Sequence, residues 1–164
     1  MNQVSIRNAK TSDFKRIVEI NALEVVHTSP MDLARLIELN SYSSFHRVVE
    51  IKGVVAAFLL TMSANSEYKN DNYDWFGSRY ESFIYIDRIV VNADYAGFKL
   101  GSLLYNDLFE FSKMQSIECV CCEYNLIPSN IPSQKFHDKF GFKEVGQQWL
   151  NNNTKKVSLQ VASL

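Results

Sequence analysis

Residues 83–101 read FIYIDRIVVNADYAGFKLG, an almost continuous apolar run that empties into a glycine-bearing turn. Between Phe83 and Val91 the only charges are Asp87 and Arg88, and the wealth of Ile, Val and Tyr fits a mostly buried strand. Gly97 and Gly101 punctuate the turn. Beyond it Leu103, Leu104, Leu108 and Phe111 recur at near-helical spacing, which predicts a helix from Lys99 or Leu100. Strand, turn and helix start in this order offer unpaired backbone N–H groups and the positive end of a helix dipole to an anion. A phosphate-bearing ligand fits such a place.

The rest of the chain sets the bounds. Its 164 residues, 46% of them apolar, predict one domain over residues 1–164 with a real core. A net charge of -1 and the lack of any long Lys/Arg run argue against a nucleic-acid partner. The start, MNQVSIRNAKTSDF, has no apolar leader, and no segment approaches the roughly 18 apolar residues of a membrane span, so a cytoplasmic location is expected. Cys119, Cys121 and Cys122 fall within one predicted strand, where they read as small buried hydrophobes rather than as disulfide partners or metal ligands.

Outward from the central stretch, Val4 to Arg7 predicts a strand, and Thr11 a helix cap before Phe14, Ile17 and Val18. Ser29 and Pro30 predict the start of a second helix with Leu33, Leu36 and Ile37 as its apolar stripe. Phe45 to Glu50 and Val54 to Met62 read as strands joined across Lys52-Gly53. From Ser63 to Ser82 the pattern breaks into a long loop carrying Tyr68, Tyr73, Trp75, Phe76 and Tyr80. Loops of this length usually have work to do, and a cover over a substrate competes with simple ring packing as the reading. Ile117 to Glu123 is a further strand, Asn130 or Ser133 caps a short helix with Phe136 and Phe140 on its buried face, and Gly141 ends it. Phe142 to Trp149 and Lys156 to Val161 close the chain as strands about the NNNTK turn.

The element order, the turn YAGFKLGSLLY and the later NIPSQKFHDKFGF together resemble the GNAT superfamily of acyl-CoA-dependent N-acetyltransferases. The likeness spans essentially the whole chain and is sharpest to a bacterial group with YIDR on the central strand, here Tyr85 to Arg88, and an FHxxxGF helix, here Phe136 to Phe142. The resemblance implies an α/β (α+β) fold: a strongly twisted, mostly antiparallel mixed sheet of about six or seven strands, with about four helices on its two faces. It implies acetyl-CoA as acyl donor, no metal, and a primary amine of a small molecule as acceptor. Acetylation of a protein or peptide and a non-catalytic acyl-CoA-binding module are the alternatives. Family members often pair, so a homodimer is the corresponding expectation, although no residue signals it.

Residue by residue, the family's pyrophosphate turn falls on Ala96, Gly97, Phe98, Lys99, Leu100 and Gly101, followed by Ser102. Ala96 stands where the family has Arg or Gln, and Lys99 where it has an inner glycine, which predicts an ordinary negative φ at Lys99. The backbone of Ile89, Val90 and Val91, together with Asn125 and Asn130, completes the implied cofactor contacts. Strand alternation predicts Tyr85, Asp87, Ile89 and Val91 on one face. Tyr85 stands where many members carry a base carboxylate, and Asp87 and Tyr85 are the first catalytic candidates to accept the proton of an ammonium that titrates near 10.4, with Asp87 replacing the missing base, ahead of Glu81 and Glu123. His137 occupies the place of the family's acid Tyr. Tyr73, Trp75, Phe76 and Tyr80 are the predicted substrate contacts, with Asp71, Asp74 or Asp87 drawing in a cation.

Overall fold

A computed structural model describes residues 3–24 and 28–164. Strand β1 (Val4–Asn8) leads through a 3-10 turn to α1 (Phe14–Ala22) and α2 (Leu33–Tyr42), and β2 (Phe45–Ile51) and β3 (Val54–Ser63) follow as a hairpin. Next come α3 (Asp71–Gly77), β4 (Phe83–Val91), α4 (Leu100–Met114), β5 (Cys119–Ile127), α5 (Ile131–Lys139), β6 (Lys143–Leu150) and β7 (Lys155–Ser163). The seven strands form one sheet in the order β1-β2-β3-β4-β5-β7-β6, antiparallel at every step except β4 with β5. This is the mixed sheet that the resemblance implied, with five α-helices among the described residues where about four were expected. No helix among the described residues is long and apolar enough to cross a membrane.

The additional helix is α3, inside the stretch predicted as irregular. Asn70 caps it, its side chain accepting from the N–H groups of Asn72 and Tyr73, while Asp71 and Asp74 favour its positive end. Two other helix starts differ from prediction. Thr11 opens a 3-10 turn in which Asp13 reaches back to the Lys10 N–H at 2.8 Å. Helix α2 starts at Leu33 under an Asp32 cap, because Ser29 is engaged elsewhere. Leu36 and Leu39 form its buried stripe, whereas Leu33 and Ile37 are exposed.

Two apolar cores sandwich the sheet. Helices α1, α2 and α3 pack on one face through Phe14, Ile17, Leu36, Leu39, Tyr73 and Phe76; α4 and α5 pack on the other through Leu104, Tyr105, Leu108 and Phe136. The three cysteines are buried and unbridged within β5.

Two irregularities of β4 create the site. Its pairing with β3 steps from Leu60–Arg88 to Thr61–Ile86, leaving Asp87 as the extra residue of a β-bulge. The bulge inverts the alternation beyond it. Phe83, Tyr85 and Val90 face the α1–α3 core, while Ile84, Ile86, Ile89 and Val91 face the α4–α5 core, so Ile89 and Val91 do not share a face with Tyr85 as predicted. On its other side β4 pairs with β5 only at Phe83, Ile84 and Tyr85. From Ile86 onward the two strands part.

Candidate active site

The parted strands open onto two cavities. The first, about 520 Å³, is polar. Its walls come from residues 28–30 ahead of α2, Tyr68, Asn70 and Asn72 around the start of α3, Asp87 to Ile89 of β4, Cys122 to Asn125 of β5, Ser133 and His137 of α5, and Leu150, Asn151 and Lys155 at the β6–β7 turn. The second, about 650 Å³, lies between the β4–α4 turn and α5. Ile89 and Ser133 line both, so the cavities adjoin where β4 leaves β5.

The second cavity suits an anion. Ala96, Gly97, Lys99, Leu100, Gly101 and Ser102 line it, with Pro132, Ser133 and Phe136 opposite. The first bond back along α4 runs from the Leu103 N–H to the Lys99 carbonyl at 3.1 Å, so the amides of Leu100, Gly101 and Ser102 have no carbonyl one turn behind them. Gly97 has φ 89° and Lys99 φ 59°. Lys99 thus keeps the left-handed backbone of a glycine, contrary to the negative φ predicted, at a cost of about 1–2 kcal/mol. The turn needs that conformation to aim the following amides into one hollow. Gly101 serves close approach instead: a Cβ there would sit 3.3 Å from Phe136 Cζ. Phe98 is half-exposed beside Tyr95 and lies outside the lining. Ile89 and Val91 line the cavity, whereas the Val90 side chain is buried on the far face. The Asn92 N–H donates to the Ala56 carbonyl on β3 at 2.9 Å, so alternation turns the amides of Val91 and Ile89 toward the gap.

A chain of polar groups crosses the first cavity. The Tyr85 hydroxyl donates to both oxygens of Glu123 at 2.8 Å. Burial pushes the Glu123 carboxyl up to about 7, and the negative charge of Asp87 adds to the rise; the Tyr85 hydrogen bond, the Asn72 amide and the Lys155 ammonium oppose it. Gln148 holds Asn72 at 3.0 Å. Tyr68 donates a short hydrogen bond to Asp87, whose other oxygen takes the Arg88 guanidinium at 2.7 Å. Arg88 also donates to Asn21 Oδ1, to the Ser29 carbonyl and to the Ser29 hydroxyl. Asp87 is therefore engaged on both oxygens and anchors the bulge to the segment ahead of α2. Burial, with Asp87 adding, raises Tyr68, and burial, with Glu123 adding, raises Tyr85, so both phenols keep their protons as donors.

His137 is buried between α4 and α5. Its Nδ1 lies 2.7 Å from the Ser133 carbonyl, which can only accept, so Nδ1 carries the proton; Nε2 then accepts from the Tyr105 hydroxyl at 2.8 Å. Burial lowers its pKa, which keeps the ring neutral. Both nitrogens are thus committed within the protein. Tyr124, on β5, accepts from Gln160 Nε2 at 3.2 Å, and its hydroxyl is also hydrogen-bonded to the Ser158 side chain. Asn130 caps α5, accepting from the Ser133 N–H at 3.3 Å, and lines the first cavity with Asn125.

The predicted aromatic contacts lie elsewhere. Tyr73 and Phe76 are core residues, Tyr73 donating to the Ser63 carbonyl at 2.6 Å. Trp75 packs on Gly146 and under Arg79, and Tyr80 packs against the core. None of the four lines either cavity, because α3 turns its rings inward to cover the sheet. Asp71, Asp74 and Glu81 are exposed and also outside the lining. Sequence reasoning did not place Asn72, Tyr124 and Lys155 at the cavity, named Tyr68 only among the aromatics of the long loop, and ranked Glu123 below Asp87. Among the described residues no group of three or more His, Cys, Asp or Glu side chains is placed to hold a metal.

A model of the acetyltransferase (GNAT) family matches residues 9–142. No curated protein sequence matches the chain. The fold is similar to that of Ard1 from Thermoplasma volcanium, at TM-score 0.79 and 15% identity over 98% of this chain and 97% of that one. It is also similar to the ribosomal-protein-S18-alanine N-acetyltransferase from Escherichia coli, at TM-score 0.75 and 15% identity over 98% and 94%. A third similar structure, YncA from Salmonella typhimurium with its cofactor acetyl-CoA, has TM-score 0.72 and 18% identity over 99% and 94%.

Proposed function

Since the chain belongs to the acetyltransferase (GNAT) family, we propose that it acetylates the primary amine of a small molecule by direct attack in a ternary complex, with Glu123 as base. Acetyl-CoA, the family's donor, supplies a thioester whose carbonyl takes the amine and whose thiol departs. The residues of the second cavity fit its anionic end: the first amides of α4 meet the diphosphate, and the gap-facing amides of Ile89 and Val91 orient the arm and polarise the carbonyl.

One observation carries the choice of base: the Glu123 carboxyl stands on the wall of the polar cavity at the strand gap, held by the Tyr85 hydroxyl, where burial pushes it up to about 7. Moving a proton from an ammonium near 10.4 to an ordinary carboxylate near 4.3 costs about 8 kcal/mol, and to one near 7 about 5 kcal/mol. Tyr85 orients Glu123, and Asp87 raises its basicity while remaining paired with Arg88. The ammonium sheds two protons in becoming an amide. Glu123 takes one before attack, solvent carries the second, and the Tyr124 hydroxyl returns one to the departing sulfur before being reprotonated. His137 braces Tyr105 and α5 rather than acting as the acid.

Thiol release from acetyl-CoA across a panel of amines tests the reading. Wild-type kcat/KM should climb as pH rises through about 7, where Glu123 loses its proton. Glu123→Gln should lower kcat by about 10²–10³-fold and abolish that limb, and Tyr124→Phe should lower kcat with little change in KM. A Glu123→Gln enzyme with wild-type turnover and an unaltered profile removes Glu123 from the role.

A further inference from the structure

The acceptor cavity is not an acidic hole. Five of its lining side chains bear formal charge: Asp87, Glu123, Arg35, Arg88 and Lys155. Asp87 and Arg88 cancel within their 2.7 Å pair, and Arg35 leans on Glu38 at 2.8 Å, outside the cavity. Lys155 is half-buried, and among the described residues no carboxylate stands within ion-pair distance of it. What an incoming amine meets is therefore one titrating carboxylate, Glu123, with two cationic heads on the surrounding walls.

The register places the lysine. Glu123 on β5 pairs with Leu159 on β7, and Leu159, Val157 and Lys155 follow one another on the same face of that strand. Four residues of strand separate the Leu159 and Lys155 Cα atoms by about 13 Å, and the flexible lysine stem recovers part of this distance toward the carboxylate. The Lys155 charge is felt at Glu123, so the two groups share one electrostatic field. A polyamine would set its second cation against Lys155 and Arg35, and an uncharged amine would leave Lys155 without a counter-ion.

Building on the acetyltransferase reading above, we infer that the acceptor is a small amine carrying an acid group at the end remote from its nitrogen, the ammonium seated on Glu123 and the acid on Lys155, with Arg35 beyond. The bidentate reach of Arg35 is already shared with Glu38, which makes Lys155 the principal recognition residue. The separation along β7 favours several bonds between the nitrogen and the acid over the single carbon of an α-amino acid.

A ladder of ω-amino acids from glycine to 6-aminohexanoate, each matched by the n-alkylamine of equal chain length, tests this by thiol release, with spermidine as a third arm. The acid-bearing member of at least one longer pair should have a kcat/KM at least tenfold above its partner and above spermidine. Lys155→Met should collapse that ratio toward one, mainly by raising KM for the acid, and Lys155→Arg should restore it. A ratio below tenfold at every length, or one that Lys155→Met leaves intact, overturns the assignment while the acetyltransferase reading stands. If acetyl-CoA binds by calorimetry yet no amine of any arm releases thiol, the small-amine reading of the acceptor is refuted, and this inference falls with it.

Discussion

His46 and Glu123 are two buried titratable side chains whose effects on stability oppose each other. His46 sits between Phe14 and Phe58 with Nδ1 at 2.8 Å from Asn40 Oδ1 and, among the described residues, no partner on Nε2, and burial lowers its pKa to about 4. The unfolded chain takes that proton near 6.5, so the stability His46 contributes is whole above 6.5 and is lost as pH falls toward 4, by about 3 kcal/mol in all. Glu123 has the reverse sign. Its folded pKa near 7 lies above the unfolded 4.5, so its burial is cheap at low pH and costs stability as pH rises from 4.5 to 7. Urea midpoints at pH 7.5 and 4.5 should therefore diverge between variants: relative to wild type, His46→Phe loses less stability on acidification and Glu123→Gln loses more. Parallel shifts in both variants would show that neither group titrates in this window.

At the scale of elements, helix α3 meets the edge strand β6 through the Gln148–Asn72 hydrogen bond and one tight apolar contact. A Cβ on Gly146 would come within 2.5 Å of Trp75 Cζ2 and 3.0 Å of Cη2, and the other face of the indole is covered by Arg79 at 3.8 Å. Gly146→Ala should displace the indole and destabilise the protein by about 1–3 kcal/mol, seen as a lower Tm with altered tryptophan fluorescence. Much of this architecture was legible beforehand. The YIDR strand, the helix after the glycine turn and the FHxxxGF helix announce themselves because apolar periodicity and cap residues are local properties. The hairpin at Lys52-Gly53 was legible for the same reason, its two residues having φ of 51° and 80°. Other features were hidden because partners distant in sequence decide them. The bulge at Asp87 exists only in relation to β3, so no pattern within β4 could reveal that Ile89 and Val91 change face. Ser29 looks like a helix cap until Arg88, 59 residues away, claims its carbonyl and hydroxyl. Glu123 reads as an ordinary strand carboxylate until Tyr85 and the cavity surround it. The aromatics of residues 68–80 carried the right composition for either role, and the short α3 directs most of them into the core.

Across the whole molecule, the two parts of the sheet meet through only three residue pairs, Phe83–Cys119 to Tyr85–Cys121, and then diverge around the cavities. A ligand reaching from the α4 turn into that divergence touches both parts at once, so its binding should stabilise the fold as a unit. At a concentration about 100 times Kd, acetyl-CoA should contribute about 2.7 kcal/mol, or roughly 5–10 °C in Tm for a chain of this size. Gly101→Glu should abolish the gain, since the new side chain collides with Phe136 and sets a carboxylate among the phosphate-facing amides. A melting temperature indifferent to acetyl-CoA in the wild type would contradict the cofactor placement. The single supernumerary residue at position 87 has a practical corollary for anyone recombining this protein with a relative. Deleting it lets Thr61–Ile86 and Leu60–Arg88 follow one another in plain register, so Val90 keeps its core and Ile89 its cavity, and what disappears is the kink together with the carboxylate that ties Tyr68 to Arg88. Chimeras should therefore take Tyr68, Asp87 and Arg88 from one parent as an indivisible set.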